Sequence, residues 1–130
     1  MEVVVATVIA VIAVLALAYS FGAARGLVDR YEIARVALAA AQRRMETLSA
    51  GPLTSTDLLI GPHPAAGVWL DVKVEDRAVA RESWTVDRYD DPANGIGSGA
   101  ADLKRVTVTV VWGQAGPAET VSLTRLFPLP

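Results

Sequence analysis

The chain has no cysteine and a single histidine, His63. Without cysteine there is no disulfide framework, no thiolate nucleophile and no cysteine-bearing zinc site. An extracytoplasmic home stays open, but such a fold must hold without bridges. His63 lies between Pro62 and Pro64 with no Asp, Glu or Cys at ligand spacing, so it reads as a loop histidine. Basic residues are not in excess. Twelve Lys+Arg against fourteen Asp+Glu give a net charge of −2, which removes nucleic acid as a first expectation. Aromatics make up only 6% of the 130 residues. Charge is missing altogether between Glu2 and Arg25.

What the chain does have is aliphatic surface. Hydrophobic residues make up 52% and the mean hydropathy is +0.37, too apolar for a disordered chain. The excess sits in Val3–Ala24, VVVATVIAVIAVLALAYSFGAA, with Val3, Val8, Ile12, Leu15 and Ala24 spread along it. Twenty-two residues make about 33 Å of helix, matching a hydrocarbon core of roughly 30 Å. A cleaved signal peptide would carry a shorter apolar region, about 7–15 residues, behind positive charge. Here Glu2 precedes the run and no Lys or Arg does. The segment reads as a retained membrane helix.

The helical pattern continues past it. Residues 25–48 contain no proline, and Leu27, Tyr31, Ala34, Leu38, Ala41, Met45 and Leu48 follow at alternating steps of four and three. That is the seam of an amphipathic helix. Arg25, Asp29, Arg30, Glu32, Arg35, Arg43, Arg44 and Glu46 fall off it. Gly51-Pro52 supplies the stop. The expectation is one helix of about 45 residues, near 68 Å. The seam serves packing on the chain's own C-terminal part or on neighbouring copies.

Residues 51–67 read as a loop, with a short turn around Leu58–Ile60. From Val68 the period drops to two. Val68, Leu70, Val72 and Val74 form one alternating series, and Trp84 and Val86 a second. Val106, Val108, Val110 and Trp112 form a third, and Val121, Leu123 and Phe127 a fourth. These predict four half-buried strands, with hairpin connections at Asp76-Arg77 and Gly113–Pro117. An antiparallel sheet with one apolar face needs a cover, and the striped helix offers it. The expected fold is α+β. It comprises a membrane-spanning half-helix (1–24), an amphipathic half-helix (25–50), a loop (51–67) and an antiparallel β domain (68–130) with its sheet on the second half of the helix.

Local chemistry is sparse. Asp87, Asp90, Asp91, Asn94 and Asp102 crowd a Gly-rich stretch and could offer oxygen ligands to calcium, but not at EF-hand spacing. Asp-Pro and Asn-Gly are also ordinary turn formers. Gly95–Ala100 fits GxGxxA without the flanking strand and helix of a dinucleotide site. Ser98 is not in a nucleophile elbow. No catalytic set and no cofactor site are expected.

The opening Met1-Glu2-Val3-Val4-Val5-Ala6-Thr7-Val8-Ile9-Ala10 resembles the start of type IV pilin-like proteins, the prepilin-type N-terminal methylation segment. That family carries a glutamate near the mature N-terminus at the head of a long apolar helix. Here Glu2 matches it. The stretch Leu103–Trp112 with Thr120–Thr124 is similar to the ends of minor pilins of the PilV type and of minor pseudopilin I of type II secretion. The family's basic leader, its glycine and its first three mature residues have no counterpart among the 130 residues. Three accounts stay open: a trimmed chain, a start assigned late, or Met1 as the true start.

The resemblance implies a bacterial inner-membrane protein with one span, its C-terminal domain extracytoplasmic, assembled at or near the tip of a pilus or pseudopilus. Arg25, Arg30 and Arg35 alone would bias that end towards the cytoplasm; a basic leader would reverse the bias. Implied partners are other pilin-like subunits, the prepilin peptidase, the inner-membrane assembly platform and, before assembly, lipid. Glu2 would pair with the N-terminal amine of a neighbour, since a carboxylate at the edge of a membrane helix is costly and usually functional. The small residues Ala6, Ala10, Ala13, Ala16 and Ala18 would let helices approach closely. A different class remains beside this one: a single-span anchored extracytoplasmic binding module in which Glu2 is incidental.

Overall fold

A computed structural model describes residues 2–91, 93, 101–113 and 117–130. The fold is α+β: one long helix and a five-stranded antiparallel sheet. Helix α1 spans Glu2–Ala50, followed by a 3-10 turn at Thr56–Leu58. The strands are β1 (Gly61–His63), β2 (Leu70–Val74), β3 (Arg77–Tyr89), β4 (Leu103–Trp112) and β5 (Glu119–Pro128). The chain divides into two units, Met1–Glu32 and Ile33–Pro130.

The first unit is helix alone, and every described residue in it is exposed. With no proline between Glu2 and Ala50, nothing interrupts the hydrogen-bond ladder, and α1 stops where Gly51-Pro52 predicts.

In the second unit β3 is the hub. It pairs with β4 on one side and with both β1 and β2 on the other, while β5 pairs with β4. β2 to β5 form a meander of consecutive hairpins. Glu75 and Asp76, at φ 48° and 62°, close β2 onto β3 with Val74 opposite Arg77. Two successive left-handed residues suit the right-handed twist of the strands they join. The turn is thus one residue earlier than Asp76-Arg77, and β3 starts well before Trp84. The sheet has five strands where four were expected. The additional one, β1, lies inside the expected 51–67 loop and contains His63.

Alternation sorts the sheet into two faces. Ala80, Glu82, Trp84 and Val86 of β3 and Lys104, Val106, Val108 and Val110 of β4 are buried on the inner face. On β5, Phe127 is buried and Val121 and Leu123 half-buried. The outer face carries rows of hydroxyls. Thr85, Thr107 and Thr124 lie opposite one another, as do Ser83, Thr109 and Ser122. Thr107 bonds Thr124 at 3.1 Å and Thr109 bonds Ser122 at 3.3 Å.

The inner face packs with Ala37, Ala41, Met45 and Leu48 of α1 and with Leu58 to form the core. Of the expected seam, Ala41, Met45 and Leu48 are buried and Ala34 is half-buried; Leu38 is exposed, and Leu27 and Tyr31, in the first unit, are exposed. The reason is helical phase. A repeat of 3.5 drifts about 20° per heptad on a 3.6-residue helix, so the covered row passes from Ala41 to Ala37 and leaves Leu38 aside. Two alanines also let helix and sheet approach closely.

Candidate functional site

The surface that asks most plainly for a partner is the first unit. α1 is long and apolar enough to cross a membrane, and none of its most apolar 18-residue window is buried. Between Val3 and Phe21, ten large aliphatic side chains and Phe21 stand exposed. Withdrawing such side chains from water is worth about 1.5–3 kcal/mol each, on the order of 20 kcal/mol together. The helix is therefore long and apolar enough to span a membrane, and these side chains lie outside the chain's own core. Thr7, a polar residue in this stretch, donates its Oγ1 hydroxyl to Val3 O at 2.7 Å, which keeps it satisfied within the helix. Glu2 stands exposed in the first turn. The membrane-helix residues Val3, Val8, Ile12, Leu15 and Ala24 are likewise exposed.

The second unit carries charged side chains on the inner face of its sheet. Glu82 is only 8% exposed and Lys104 only 6%. Glu82 accepts from Arg44 of α1 through Nε at 3.0 Å and through Nη2 as an ion pair. The guanidinium also lies over the Trp84 ring, 4.7 Å from its centroid. His63 stacks on Trp84 with centroids 5.6 Å apart and donates through Nε2 to Leu59 O at 2.7 Å. Trp84 Nε1 donates to Asp57 O at 2.9 Å. Lys104 Nζ donates to Leu58 O at 2.9 Å and Leu53 O at 3.3 Å. Arg125, in the inner-face series of β5, donates to Ser49 Oγ at 2.9 Å. Arg44 is therefore not on a solvated face, as its place off the seam suggested; it joins helix to sheet. A buried charge is costly unless it finds partners; Glu82 pairs with Arg44, and Lys104 donates to two main-chain carbonyls. Their signal was available: a Lys or Glu occupying the inward phase of an otherwise apolar alternation.

The oxygen-rich stretch behaves differently. Asp87 belongs to β3, where it lies opposite Arg105 with 3.9 Å between the charged atoms. Asp91 N donates to Asp102 Oδ1 at 3.1 Å, and Ala93 N donates to Asp91 Oδ1 at 2.9 Å. These bonds shape a turn. Asp90 is half-buried at the end of the stretch. Asn94 and Gly95–Ala100 lie outside the described residues. Among the described residues no group of three His, Cys, Asp or Glu side chains is placed to hold a metal ion.

A shallow groove of about 260 Å³ runs between α1 and β2, lined by Arg43, Arg44, Thr47, Asp71, Lys73 and Glu82. Its charges nearly offset, and its two most buried members already pair with each other.

No family model matches the chain, and no curated protein or solved structure is similar to it.

Proposed function

We propose that the chain is a pilin-like structural subunit, a minor pilin or pseudopilin held in a membrane by the first half of α1 and built into a filament through it. The observation that carries the reading is the division of a single 49-residue helix. Its first 31 described residues are exposed and mostly apolar, and its last turns are covered by an antiparallel sheet. Such a chain works by packing. Lipid solvates the apolar half before assembly, and helices of neighbouring subunits replace lipid afterwards. The resemblance of Glu2 and its surroundings to the prepilin-type segment supports the same reading. So does the alanine content of Ala6–Ala18, since small residues favour close helix contact. The C-terminal domain is then extracytoplasmic, and the partners are other pilin-like subunits, the prepilin peptidase and the assembly platform.

The test is Glu2→Ala in cells that make the filament. The variant stays in the membrane fraction but disappears from sheared filaments. Entry into filaments at the wild-type level overturns the assembly role. A wild-type chain that never leaves the membrane identifies an anchored binding module instead. DNA upstream of codon 1 encoding a short basic leader ending in glycine is the independent check.

A further inference from the structure

The two edges of the sheet differ in kind. At one edge, β1 offers three residues and β2 five, Pro62 lies within β1 and Pro64 just after it, and the register shifts between Val72 and Lys73. Short strands, prolines, a bulge and a lysine are the devices by which an edge avoids recruiting another strand. At the other edge, β5 runs ten residues, pairs with β4 without a register shift, and has no lysine and no proline before Pro128. Only β4 pairs with it among the described residues. Its one mid-strand safeguard is Arg125, a charge in the inner-face series, where a neighbouring strand would have to answer it.

A second copy answers it. When two β5 strands meet antiparallel about a two-fold axis with their inner faces on the same side, several registers are open. Only the register centred on Ser122 sets Glu119 opposite Arg125 of the second copy, and symmetry makes that pair twice. The same register sets Thr120 opposite Thr124 and Val121 opposite Leu123, with Ser122 facing its own counterpart. Opposite charges, paired hydroxyls and paired aliphatics are the cross-strand combinations that stabilise a sheet. The hydroxyl pairing already exists one strand inward, at Thr107–Thr124 and Thr109–Ser122.

We propose that β5 is a self-recognition edge, through which two copies of this chain join their sheets by antiparallel pairing of residues 119–125 centred on Ser122. The contact is isologous, so it closes at two copies and does not itself propagate a fibre. It needs neither the apolar helix nor Glu2, and it stands apart from the filament reading.

The experiment uses the full chain in detergent micelles. The sequence holds no cysteine, so Ser122→Cys introduces the only thiol. Directly opposed residues bring their Cβ atoms to about 4.5–5.5 Å, within reach of a short thiol cross-linker. Thr109→Cys, on the same face but one strand inward, is the control. The expected result is at least tenfold more covalent dimer from Ser122→Cys than from the control. Adding Glu119→Arg, which leaves the Arg125–Ser49 bond in place, lowers the yield about tenfold, equivalent to about 1.4 kcal/mol. Adding Arg125→Glu as well restores it, an outcome that misfolding does not produce. Equal yields from the two cysteine variants, no loss with Glu119→Arg, or no rescue by the swap each overturn the proposal. So does cross-linking of Ser122→Cys mainly to a different protein when done in membranes.

Discussion

The ion pair between Arg44 and Glu82 fixes helix to sheet, and its strength can be isolated. The side chains are 26% and 11% exposed, between the surface case and full burial. Removing one member of a fully buried pair costs about 3–5 kcal/mol, because the other charge is left uncompensated. Exposed pairs contribute about 0–1 kcal/mol. Glu82→Ala should therefore cost about 3 kcal/mol. Arg44→Ala should cost at least as much, since it also strips a cation from the face of Trp84, a contact worth about 0.5–2 kcal/mol. A double-mutant cycle cancels the tryptophan contribution, and the expected coupling is about 2 kcal/mol. Asp87 and Arg105 supply the internal comparison. Their charged atoms are 3.9 Å apart with half the side-chain surface in water, and their coupling should stay below about 1 kcal/mol. The assay is urea unfolding of the full chain in micelles, read by tryptophan fluorescence. A coupling at Arg44–Glu82 no larger than at Asp87–Arg105 refutes the argument. Replacing both residues together, as Arg44→Met with Glu82→Leu, should leave stability within about 1 kcal/mol of the parent, because a packed apolar pair avoids the desolvation of two charges.

Four further outcomes are expected. Lys104→Met keeps the side-chain length but strands the carbonyls of Leu53 and Leu58, and should lower unfolding stability by about 2–4 kcal/mol in the same urea assay. Glu75→Asn with Asp76→Gly writes the preferred residues into a turn already at positive φ, and should raise the midpoint by about 1 kcal/mol or several degrees. Gly113→Ala should cost about 1–3 kcal/mol, since Gly113 sits at φ 130° and a Cβ there would meet Ala118 Cα and Pro117 O at 3.3 Å. Arg substituted at both Val11 and Leu15, at about 2.5–3.5 kcal/mol each, should move the chain from the membrane pellet to the alkaline-carbonate supernatant; retention in the pellet contradicts a spanning helix.

The strongly periodic elements were legible in the sequence. Val3–Ala24 and the alternation at Val106–Val110 each repeat one signal over many residues, and Gly51-Pro52 is a strong local stop. What escaped was written in exceptions. β1 is three residues long and holds proline, so it carries no period, and its pairing with β3 is set 25 residues away, Gly61 against Val86. β3 was read as starting near Ser83, because Glu82 broke the apolar phase and Ala78 and Ala80 are weak strand formers. The same Glu82 proves to be inward-facing. Its partner Arg44 lies 38 positions earlier, a distance at which no local pattern can announce a contact. The covered row of α1 runs through Ala37, Ala41, Met45 and Leu48, because a strict 3.5 repeat does not stay on one line of a straight helix.

The grip on residues 53–59 has a consequence for how the chain tolerates change. Lys104, Trp84 and His63 hold that segment through the main-chain oxygens of Leu53, Asp57, Leu58 and Leu59. A carbonyl is the same whatever side chain accompanies it. Apart from Leu58 in the core, Leu53 packed against it and Ser55, whose Oγ accepts from Asp57 N, the residues there are constrained in path but hardly in identity. Thr54, Thr56, Leu59 and Ile60 thus form a stretch whose surface can be rewritten while its backbone stays clamped, a place for lineages to vary what the protein displays without renegotiating its fold.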